Sequence, residues 1–343
     1  MLVVSNVDDR VPADHPLRTI KSLPDAVLKD LGPSLTRMYA KTGRPSIPPE
    51  RLLKGMLLIA LYSIRSERQL CEQLQYNLLY RWFLDMDLDD DVFDPSSFSH
   101  NRKRLMKHSA PQKFFARVVD AASEDGLMSS EHFSVDGTLI EAWASMKSFK
   151  RKDDDDDDSN GWSDFKGKTR KNDTHASKTD PEAKLMRKGK GQEAKLSYSA
   201  HALMENRNGL LLDLRIAEAN GRAEREVAKK MMKAHLRPRS TLGADASYNT
   251  RDFVKACRAQ GITPHVAGKM RSSAIDARTT RHATYAASQT IRKRIEQIFG
   301  WLKTVAGLRK TRFKGRARTE AYAVMAGAAY NLLRVARLRG ATA

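Results

Sequence analysis

Cysteine is nearly absent from this chain of 343 residues, which contains only Cys71 and Cys257. The two lie far apart and outside any CxxC pair, so neither a disulfide framework nor a cysteine-based zinc site is expected. No apolar run reaches the roughly 20 residues of a membrane span, and the run at 52–64 predicts a buried helix instead. The N-terminus has no basic stretch before a long apolar core, so no secretory signal is expected. These absences favour a reducing compartment.

Acidic residues are outnumbered by basic ones. The chain has 61 Lys plus Arg against 41 Asp plus Glu, which gives a formal net charge of +20. A protein this basic usually meets a polyanion, most often nucleic acid. The imbalance is strong at 269–343, where 17 residues are basic and 3 are acidic. Composition alone leaves open the alternative of a generic basic surface.

Aliphatic residues are scarce from about 147 to 195, where the sequence becomes polar and charged. Such a composition buries little surface, so we expect a loop or a partly disordered insertion. Six consecutive aspartates occupy 153–158. They lack the spaced glycine and glutamate of a calcium loop, and a run of like charge is usually solvated. We therefore expect no metal site there.

Residues 1–125 predict an N-terminal helical domain. Ser66 and Gln69 have the spacing of a capping box, and Asn77 is placed to cap the next helix. A further helix is expected to begin at 97–99. Short helices joined by tight turns resemble a helix-turn-helix DNA reader, although an ordinary bundle with a solvated basic face has the same pattern. The candidate DNA contacts of this domain are Arg102, Lys103 and Arg104.

Residues 130–340 alternate between strand and helix patterns, interrupted by the polar insertion. The run at 132–143 predicts a first strand, and Asn208-Gly209 between two alternating runs predicts an antiparallel hairpin. Helix, strand, helix, strand and helix follow, including one long helix from about Ser288. This order predicts a mixed α/β fold with a five-stranded sheet flanked by helices.

Three acidic residues stand at distinctive places in this order. Asp136 lies within the first strand, where an unpartnered carboxylate is costly to bury. Asp245 ends the fourth strand, and Glu296 lies on the long helix. The spacing of Arg292, Glu296 and Lys303 predicts that one helical face carries all three. Taken alone, Glu296 would fit a surface ion pair.

The sequence around these acids resembles the DDE transposases of bacterial insertion sequences, in the group named after insertion sequences four and five. The segments are "FSVDGTLIEAWAS", "LGADASYNTRDFV" and "RKRIEQIFGWLKT", and "GRPSIPPERLLKGMLLIALYSI" resembles the N-terminal helical domain of that group. The likeness covers nearly the whole chain. It implies an RNase H-like catalytic domain in which Asp136, Asp245 and Glu296 are the catalytic residues and metal ligands.

One position departs from the family pattern. The third segment of the family reads Tyr, two residues, Arg, three residues, Glu, six residues, Lys. Arg292, Glu296 and Lys303 keep that spacing, but Gln289 replaces the tyrosine. The departure concerns the role of the tyrosine and not the metal ligands.

The resemblance also implies an activity. A transposase of this kind binds the terminal inverted repeats of its own element and performs metal-dependent cleavage and strand transfer with Mg²⁺ or Mn²⁺, as two ions. Its partners would be double-stranded end and target DNA and, on DNA, a second copy or more of itself. It would work in the bacterial cytoplasm, at the nucleoid. The alternatives are a catalytically silent DNA-binding regulator derived from a transposase and a structure-specific nuclease.

Further basic residues are candidate DNA contacts in the C-terminal region. Arg292 and Lys303 are placed to orient phosphates near the cut. A basic loop could track a DNA backbone, which would make binding strongly salt-dependent. Its residues are Arg309, Lys310, Arg312, Lys314, Arg316 and Arg318. Phe313 and Trp301 could stack on an unpaired base, although Trp301 fits a core position better.

Overall fold

The computed structural model describes residues 6–39, 46–152, 170–189 and 191–341. The chain forms two compact units. The first comprises Met1–Ser129, Gly300–Gly307 and Ala321–Ala343, and the second comprises Ser130–Phe299 and Leu308–Glu320. The first unit thus includes two C-terminal segments that the sequence placed in the catalytic domain. In the described part of the chain, no helix is both long and apolar enough to cross a membrane.

The N-terminal part of the first unit is helical. Its helices are α1 (Val7–Arg10), α2 (Pro16–Thr36), α3 (Pro49–Leu61), α4 (Glu67–Tyr76), α5 (Leu78–Phe83), α6 (Pro95–Lys107) and α7 (Ala110–Glu124). The hydroxyl of Ser66 accepts the backbone N–H of Gln69 at 3.0 Å, which confirms the predicted cap of α4. Asn77 caps α5 by accepting the backbone N–H of Tyr80 at 3.2 Å, also as predicted. These caps satisfy N–H groups that would otherwise lack a partner at each helix start.

The start of α6 differs from the prediction. The helix begins at Pro95 rather than at 97–99, because Asp94 is the residue that caps it. One carboxylate oxygen of Asp94 accepts the backbone N–H groups of Ser96 and Ser97 at 2.9 and 3.0 Å. Proline is favoured at the first helical position, where its missing N–H costs nothing.

The second unit is built on a mixed sheet. Its strands are β1 (His132–Glu141), β2 (Phe149–Arg151), β3 (His175–Ser177), β4 (Lys184–Met186), β5 (Lys195–Glu205), β6 (Leu211–Glu218), β7 (Thr241–Ala244) and β8 (Thr263–Val266). Within the described residues, six strands form one sheet in the order β4-β5-β1-β7-β8, and β6 also pairs with β5. The expected mixed α/β fold class is confirmed, with β4 as a sixth strand beyond the five predicted.

The pairing of the strands explains the sheet order. β1, β5 and β6 are joined antiparallel, and Gly209 makes the predicted hairpin turn with a positive φ of 69°. Glycine is favoured there because a side chain is strained at positive φ. β7 pairs parallel with β1, and β8 pairs parallel with β7. β1 is therefore a central strand, and its first three residues pair with β7.

The polar insertion is more ordered than expected in the part that the structure describes. β2 and β3 form a small antiparallel sheet, and β4 pairs with β5. Asp180 is buried and accepts the hydroxyl of Tyr198 at 2.8 Å. A buried carboxylate with such partners fixes this segment although aliphatic residues are few. The six aspartates at 153–158 lie outside the described residues.

Helices cover the sheet and complete the second unit. They are α8 (Ala223–His235), α9 (Arg251–Ala259), α10 (Ala277–Thr280), α11 (Ala283–Ile291), α12 (Ile295–Thr304) and α13 (Arg316–Ala341), the last two of which continue into the first unit. Met231 on α8 and Phe253 on α9 are fully buried in one core with Leu242 of β7. Burying each such side chain contributes about 1.5–3 kcal/mol, which holds β7 firmly under these helices.

The expected single long helix from Ser288 is wrong. The structure has two helices, α11 and α12, joined by a 3₁₀ turn at Arg292–Arg294. α11 is tied to β8 because the side-chain amide of Gln289 donates to the carbonyl of His265. α12 starts afresh at Ile295, which is buried. The tightened turn changes the helical phase between Arg292 and Glu296, so the one-face argument no longer includes Arg292.

Candidate active site

Asp136 lies in the middle of β1 and is partly buried. One of its carboxylate oxygens accepts the backbone N–H of Gly137 at 2.7 Å. On the neighbouring strand β5, Ala202 is paired with Asp136, and His201 is paired with Gly137. Pairing with β5 on one side fixes the backbone that carries the carboxylate, as a ligand or catalytic group requires.

Asp245 follows β7 directly and lies beside Asp136. Ser134 of β1 pairs with Gly243 of β7, so the two aspartates are each two residues beyond a paired position on parallel strands. Asp245 caps the 3₁₀ turn that follows. Its Oδ1 accepts two hydrogen bonds from Ser247, one from the backbone N–H at 2.8 Å and one from the hydroxyl at 2.6 Å. Sheet register therefore brings together two of the three predicted acids.

The electrostatics of Asp136 reflect this crowding. Burial and, to a smaller extent, the negative charges of Asp245 and Glu224 raise the pKa of its carboxyl to about 7 in all. The N–H of Gly137 and the charge of Arg292 act in the opposite direction. Like charges in a partly buried site disfavour ionisation. A cation bound between the carboxylates would relieve this repulsion.

Glu224, which sequence reasoning missed, is the third carboxylate at this site. It lies in the first turn of α8, where an acidic side chain is ordinary because it complements the helix dipole. Its Oε2 accepts a hydrogen bond from the Ser247 hydroxyl at 3.1 Å, and that same hydroxyl contacts Asp245. Only the fold brings α8 over β1, so no local sequence signal distinguished Glu224 from Glu226.

Glu296 lies in the first turn of α12 and is exposed. It follows Arg292, whose charge acts on Asp136. Among the described residues, no three His, Cys, Asp or Glu side chains are already arranged to hold a metal ion. The convergence of Glu296 with the two aspartates therefore stays a prediction, while the proximity of Asp136 and Asp245 follows from the register of the sheet.

Gln289 has a definite structural role at the position where the family has tyrosine. Its Nε2 donates to the carbonyl of His265 at 2.5 Å, and its Oε1 accepts the Nε–H of Arg292 at 2.9 Å. The absence of a side chain at Gly243 lets α11 and the turn after it lie close to β7. A side-chain carbon at Gly243 would lie 3.0 Å from the hydroxyl of Ser288 and 3.5 Å from Cβ of Arg292. Gln289 and Gly243 together fix Arg292 near the aspartates.

The donor set fits a hard divalent cation. Carboxylate oxygens are the ligands that Mg²⁺ prefers, with the remainder supplied by water and phosphate. Within the described residues, Asp136, Asp245 and Glu224 have no Lys, Arg or His nitrogen within 4.0 Å. Carboxylates left without a cationic partner are costly to gather, and a metal ion supplies the missing charge.

The predicted DNA contacts of α6 lie in different environments. Arg102 is buried and its guanidinium is paired with Glu67 of α4. Arg104 stacks on the ring of Tyr39 at 4.8 Å. Lys103 is exposed. Of these three cations, Lys103 has its charge most accessible to a ligand.

The basic loop at 309–318 is attached to the second unit. The backbone of 309–311 bonds to Glu141 at the end of β1, and Lys310 forms an ion pair with that residue at 3.2 Å. Arg316 pairs with Glu182 of the insertion at 3.7 Å. Arg309, Lys314 and Arg318 are exposed, whereas Arg312 and Phe313 are half-buried. The loop thus presents several of its charges to solvent from a fixed base.

Lys303 and Trp301 lie on the part of α12 that belongs to the first unit. Lys303 is in the last turn of the helix and is partly buried. Trp301 is partly buried and packs edge-on against Tyr330 at 5.8 Å. This contact is consistent with the packing role that the sequence favoured for Trp301.

Two family models match the chain. The model described as a transposase DDE domain matches residues 130–332, and the one described as a transposase domain (DUF772) matches residues 5–104. No curated protein matches the sequence. The first match spans more than half of the chain and contains all three predicted acids.

Some solved structures are distantly similar. The piggyBac transposase synaptic complex with hairpin DNA is 8% identical with a TM-score of 0.43, over 95% of this chain and 76% of that one. The Mos1 strand transfer complex is 10% identical with a TM-score of 0.20, over 79% and 76% of the two chains. Similarities this weak carry no functional argument. The assignment to a family therefore rests on the match to the transposase DDE domain model. The chain belongs to the transposase DDE domain family and is a DDE-type DNA transposase of insertion-sequence type.

Proposed function

We propose that this transposase binds the terminal inverted repeats of its own insertion sequence, cleaves the DNA there and joins the 3′ ends to target DNA. The observation that carries the proposal is the proximity of Asp136 and Asp245 on adjacent parallel strands, where their like charges help to raise the pKa of Asp136. The proposal includes membership of the group named after insertion sequences four and five.

Asp136, Asp245 and Glu296 are the proposed ligands of divalent metal, Mg²⁺ or Mn²⁺, as two ions. When bound, such ions activate an attacking hydroxyl or water and stabilise the leaving oxygen of a phosphodiester. The protein's part is to fix the carboxylates on strands and a packed helix. Glu296 is exposed on α12 and reaches the aspartates in this proposal by movement of that side chain or its helix turn.

Arg292 is proposed to bind a phosphate of the DNA beside the cut. Its guanidinium is held by Gln289 and its charge acts on Asp136, so a phosphate bound to it lies close to the carboxylates. A guanidinium binds phosphate oxygens in a bidentate geometry that also fixes orientation. Lys303 is proposed as a second phosphate contact.

Longer stretches of DNA are proposed to contact the exposed cations. Arg309, Lys314 and Arg318 present charge from the basic loop, and Lys103 does so from α6. Arg102 is left out of this set because its charge is buried against Glu67. The α3–α7 region is proposed to read the repeat in the manner of a helix-turn-helix domain.

The proposed assembly is a homodimer or larger oligomer formed on DNA, because two transposon ends must be joined in one event. The proposed place of action is the bacterial nucleoid, where the DNA substrate lies. Assembly is measurable by light scattering of the protein with and without end DNA.

The test is metal-dependent cleavage and joining by the full-length protein. Purified protein is incubated with a duplex bearing the inverted repeat that flanks its gene, a target plasmid, and Mg²⁺ or Mn²⁺. Joined products are expected from wild type and not from Asp136→Asn, Asp245→Asn or Glu296→Gln. Asp252→Asn is a matched control, because Asp252 pairs with Lys229 on the surface.

The outcomes separate the alternatives. Joined strands that require all three acids support the transposase. Cleavage without joined strands indicates a structure-specific nuclease, and repeat binding without any cleavage indicates a silent regulator. Equal products from wild type and Asp136→Asn would overturn the assignment of the active site.

A further inference from the structure

Glu224 lies directly over Gly137, next to Asp136. A side-chain carbon placed on Gly137 would lie 3.1 Å from Cγ of Glu224 and 3.3 Å from its Oε1. Contacts this short mean that a side chain at position 137 would press against the Glu224 carboxylate. β1 and α8 are thus fitted to each other at the catalytic aspartate.

Two buried polar groups near this carboxylate have no hydrogen-bond partner in the described structure. Nδ1 of His201 lies 3.2 Å from that same point beside Gly137, and the imidazole is fully buried. The hydroxyl of Tyr248, in the 3₁₀ turn that Asp245 caps, is also buried and unpartnered; burial first, and then the charges of Glu224, Asp136 and Asp245, raise its pKa. Buried polar atoms are almost always satisfied, so these two indicate that a ligand or its water belongs here.

The contacts of Glu224 do not explain its presence as a structural residue. In the described structure its polar partner is the hydroxyl of Ser247. That hydroxyl has one hydrogen to share between Glu224 and Asp245. Helix dipole stabilisation needs an acid in the first turn of α8, but Glu226 supplies that as well. A carboxylate brought against two others is destabilised by their charge, and a bound cation relieves that repulsion.

We propose that Glu224 is a further carboxylate ligand of the divalent metal held by Asp136 and Asp245. The Ser247 hydroxyl already links Glu224 to Asp245, with distances of 3.1 and 2.6 Å to the two carboxylates. The inference rests on the proposed metal-dependent function but names a residue outside the predicted triad. It assigns a role to α8, which otherwise only covers the sheet.

The test measures metal binding without DNA. Full-length wild type, Glu224→Gln and Glu226→Gln are titrated with Mn²⁺ alone and followed by calorimetry and by the Mn²⁺ resonance signal. We expect Glu224→Gln to weaken Mn²⁺ binding by at least about tenfold, in line with losses at residues that support a metal. Glu226→Gln is the matched control on the same helix, because Glu226 is exposed and pairs with Lys229, and it is expected to bind as wild type does.

Thermal unfolding distinguishes a ligand from a structural residue. Glutamine keeps the shape and the Ser247 contact but removes a repelling charge, so metal-free Glu224→Gln is expected to melt at or above the wild-type temperature. Its gain in melting temperature on adding Mn²⁺ is expected to shrink. A lowered metal-free melting temperature with unchanged Mn²⁺ affinity would overturn the proposal.

A Glu224→Asp variant covers the possibility that glutamine perturbs the fold. It keeps the charge on a shorter side chain and is expected to bind Mn²⁺ with an affinity between those of wild type and Glu224→Gln. Failure of the proposed transposase function would give a different result, because wild type would then bind Mn²⁺ but join no DNA. Wild-type joining together with wild-type Mn²⁺ affinity in Glu224→Gln would reject Glu224 alone.

Discussion

Gln289 holds Arg292: its Oε1 accepts the Nε–H of the arginine at 2.9 Å while its Nε2 donates to the carbonyl of His265. The glutamine thus links β8 to the 3₁₀ turn that separates α11 from α12. A tyrosine fills this position in the family that the sequence resembles. In this chain the side-chain amide of Gln289 orients the guanidinium of Arg292 instead, with its nitrogen bonded to His265 and its oxygen to Arg292.

Replacing Gln289 with leucine removes both bonds at nearly constant volume. Hydrogen bonds to charged groups are worth about 1.5–3 kcal/mol, so we expect strand joining to fall by roughly 10–100-fold. Rates of joining by Gln289→Leu and by the surface control Thr290→Val are compared. If the role is to position Arg292, Gln289→Leu has little further effect in an Arg292→Ala background. Additive losses in that double mutant would contradict it.

Stability without metal is expected to depend on pH through Asp136. Its carboxyl has an ordinary pKa of 3.8 when the chain is unfolded and about 7 in the folded protein. Between those values the folded state binds more protons than the unfolded one, so the free energy of unfolding falls as pH rises from about 4 to about 7. Above pH 7 this contribution is flat.

Asp136→Asn is expected to remove that slope. One pKa unit corresponds to about 1.36 kcal/mol, and partial solvent contact reduces the effect, so we expect the variant to be more stable than wild type by about 1–3 kcal/mol at pH 8. Urea unfolding of both proteins in EDTA from pH 4 to pH 8 measures it. Parallel pH profiles for the two proteins would show that Asp136 is not the titrating group.

Two neighbouring cations on α6 are expected to behave differently. Arg102 is buried and paired with Glu67, and removing one partner of a buried pair costs about 3–5 kcal/mol. Arg102→Ala is therefore expected to lower stability strongly. Lys103→Ala is expected to leave stability within about 0.5 kcal/mol.

DNA binding is expected to depend on Lys103, the exposed member of the same two residues. Losing one phosphate contact reduces the dependence of affinity on salt by about one unit of slope, so Lys103→Ala is expected to show that reduction. Affinity for end DNA is measured at several salt concentrations. A wild-type salt slope in Lys103→Ala would remove this residue from the proposed DNA surface.

Gly243 is expected to tolerate no side chain. A carbon there would lie 3.0 Å from the hydroxyl of Ser288 and 3.1 Å from that of Ser134, so the turn carrying Arg292 must move outward. We expect Gly243→Ala to reduce joining by about tenfold or more while the fold persists, since small displacements at a catalytic group are costly. Gly268→Ala is the control, because its side chain would meet nothing within 4 Å. Equal rates for the two variants would contradict the close fit.

Local sequence predicted most elements of the fold because their signals are local. Capping by Ser66 and Asn77 and the turn at Gly209 depend on residues within a few positions, and all three are confirmed. The placement of Asp136 within a strand and of Asp245 after one also follows from local patterns. Parallel pairing of β1 with β7 then brings the two acids together.

Contacts between distant segments decided the rest. Glu224 reaches the site because α8 packs across β1, and Arg102 is buried because Glu67 on another helix neutralises it. The side chain of Gln289 near the end of α11 bonds to β8, a strand more than 20 residues earlier in the chain. The sequence by itself determined which residues carry charge and which segments form strands and helices. Tertiary structure decided which charges meet, because burial and pairing depend on neighbours that lie far apart along the chain.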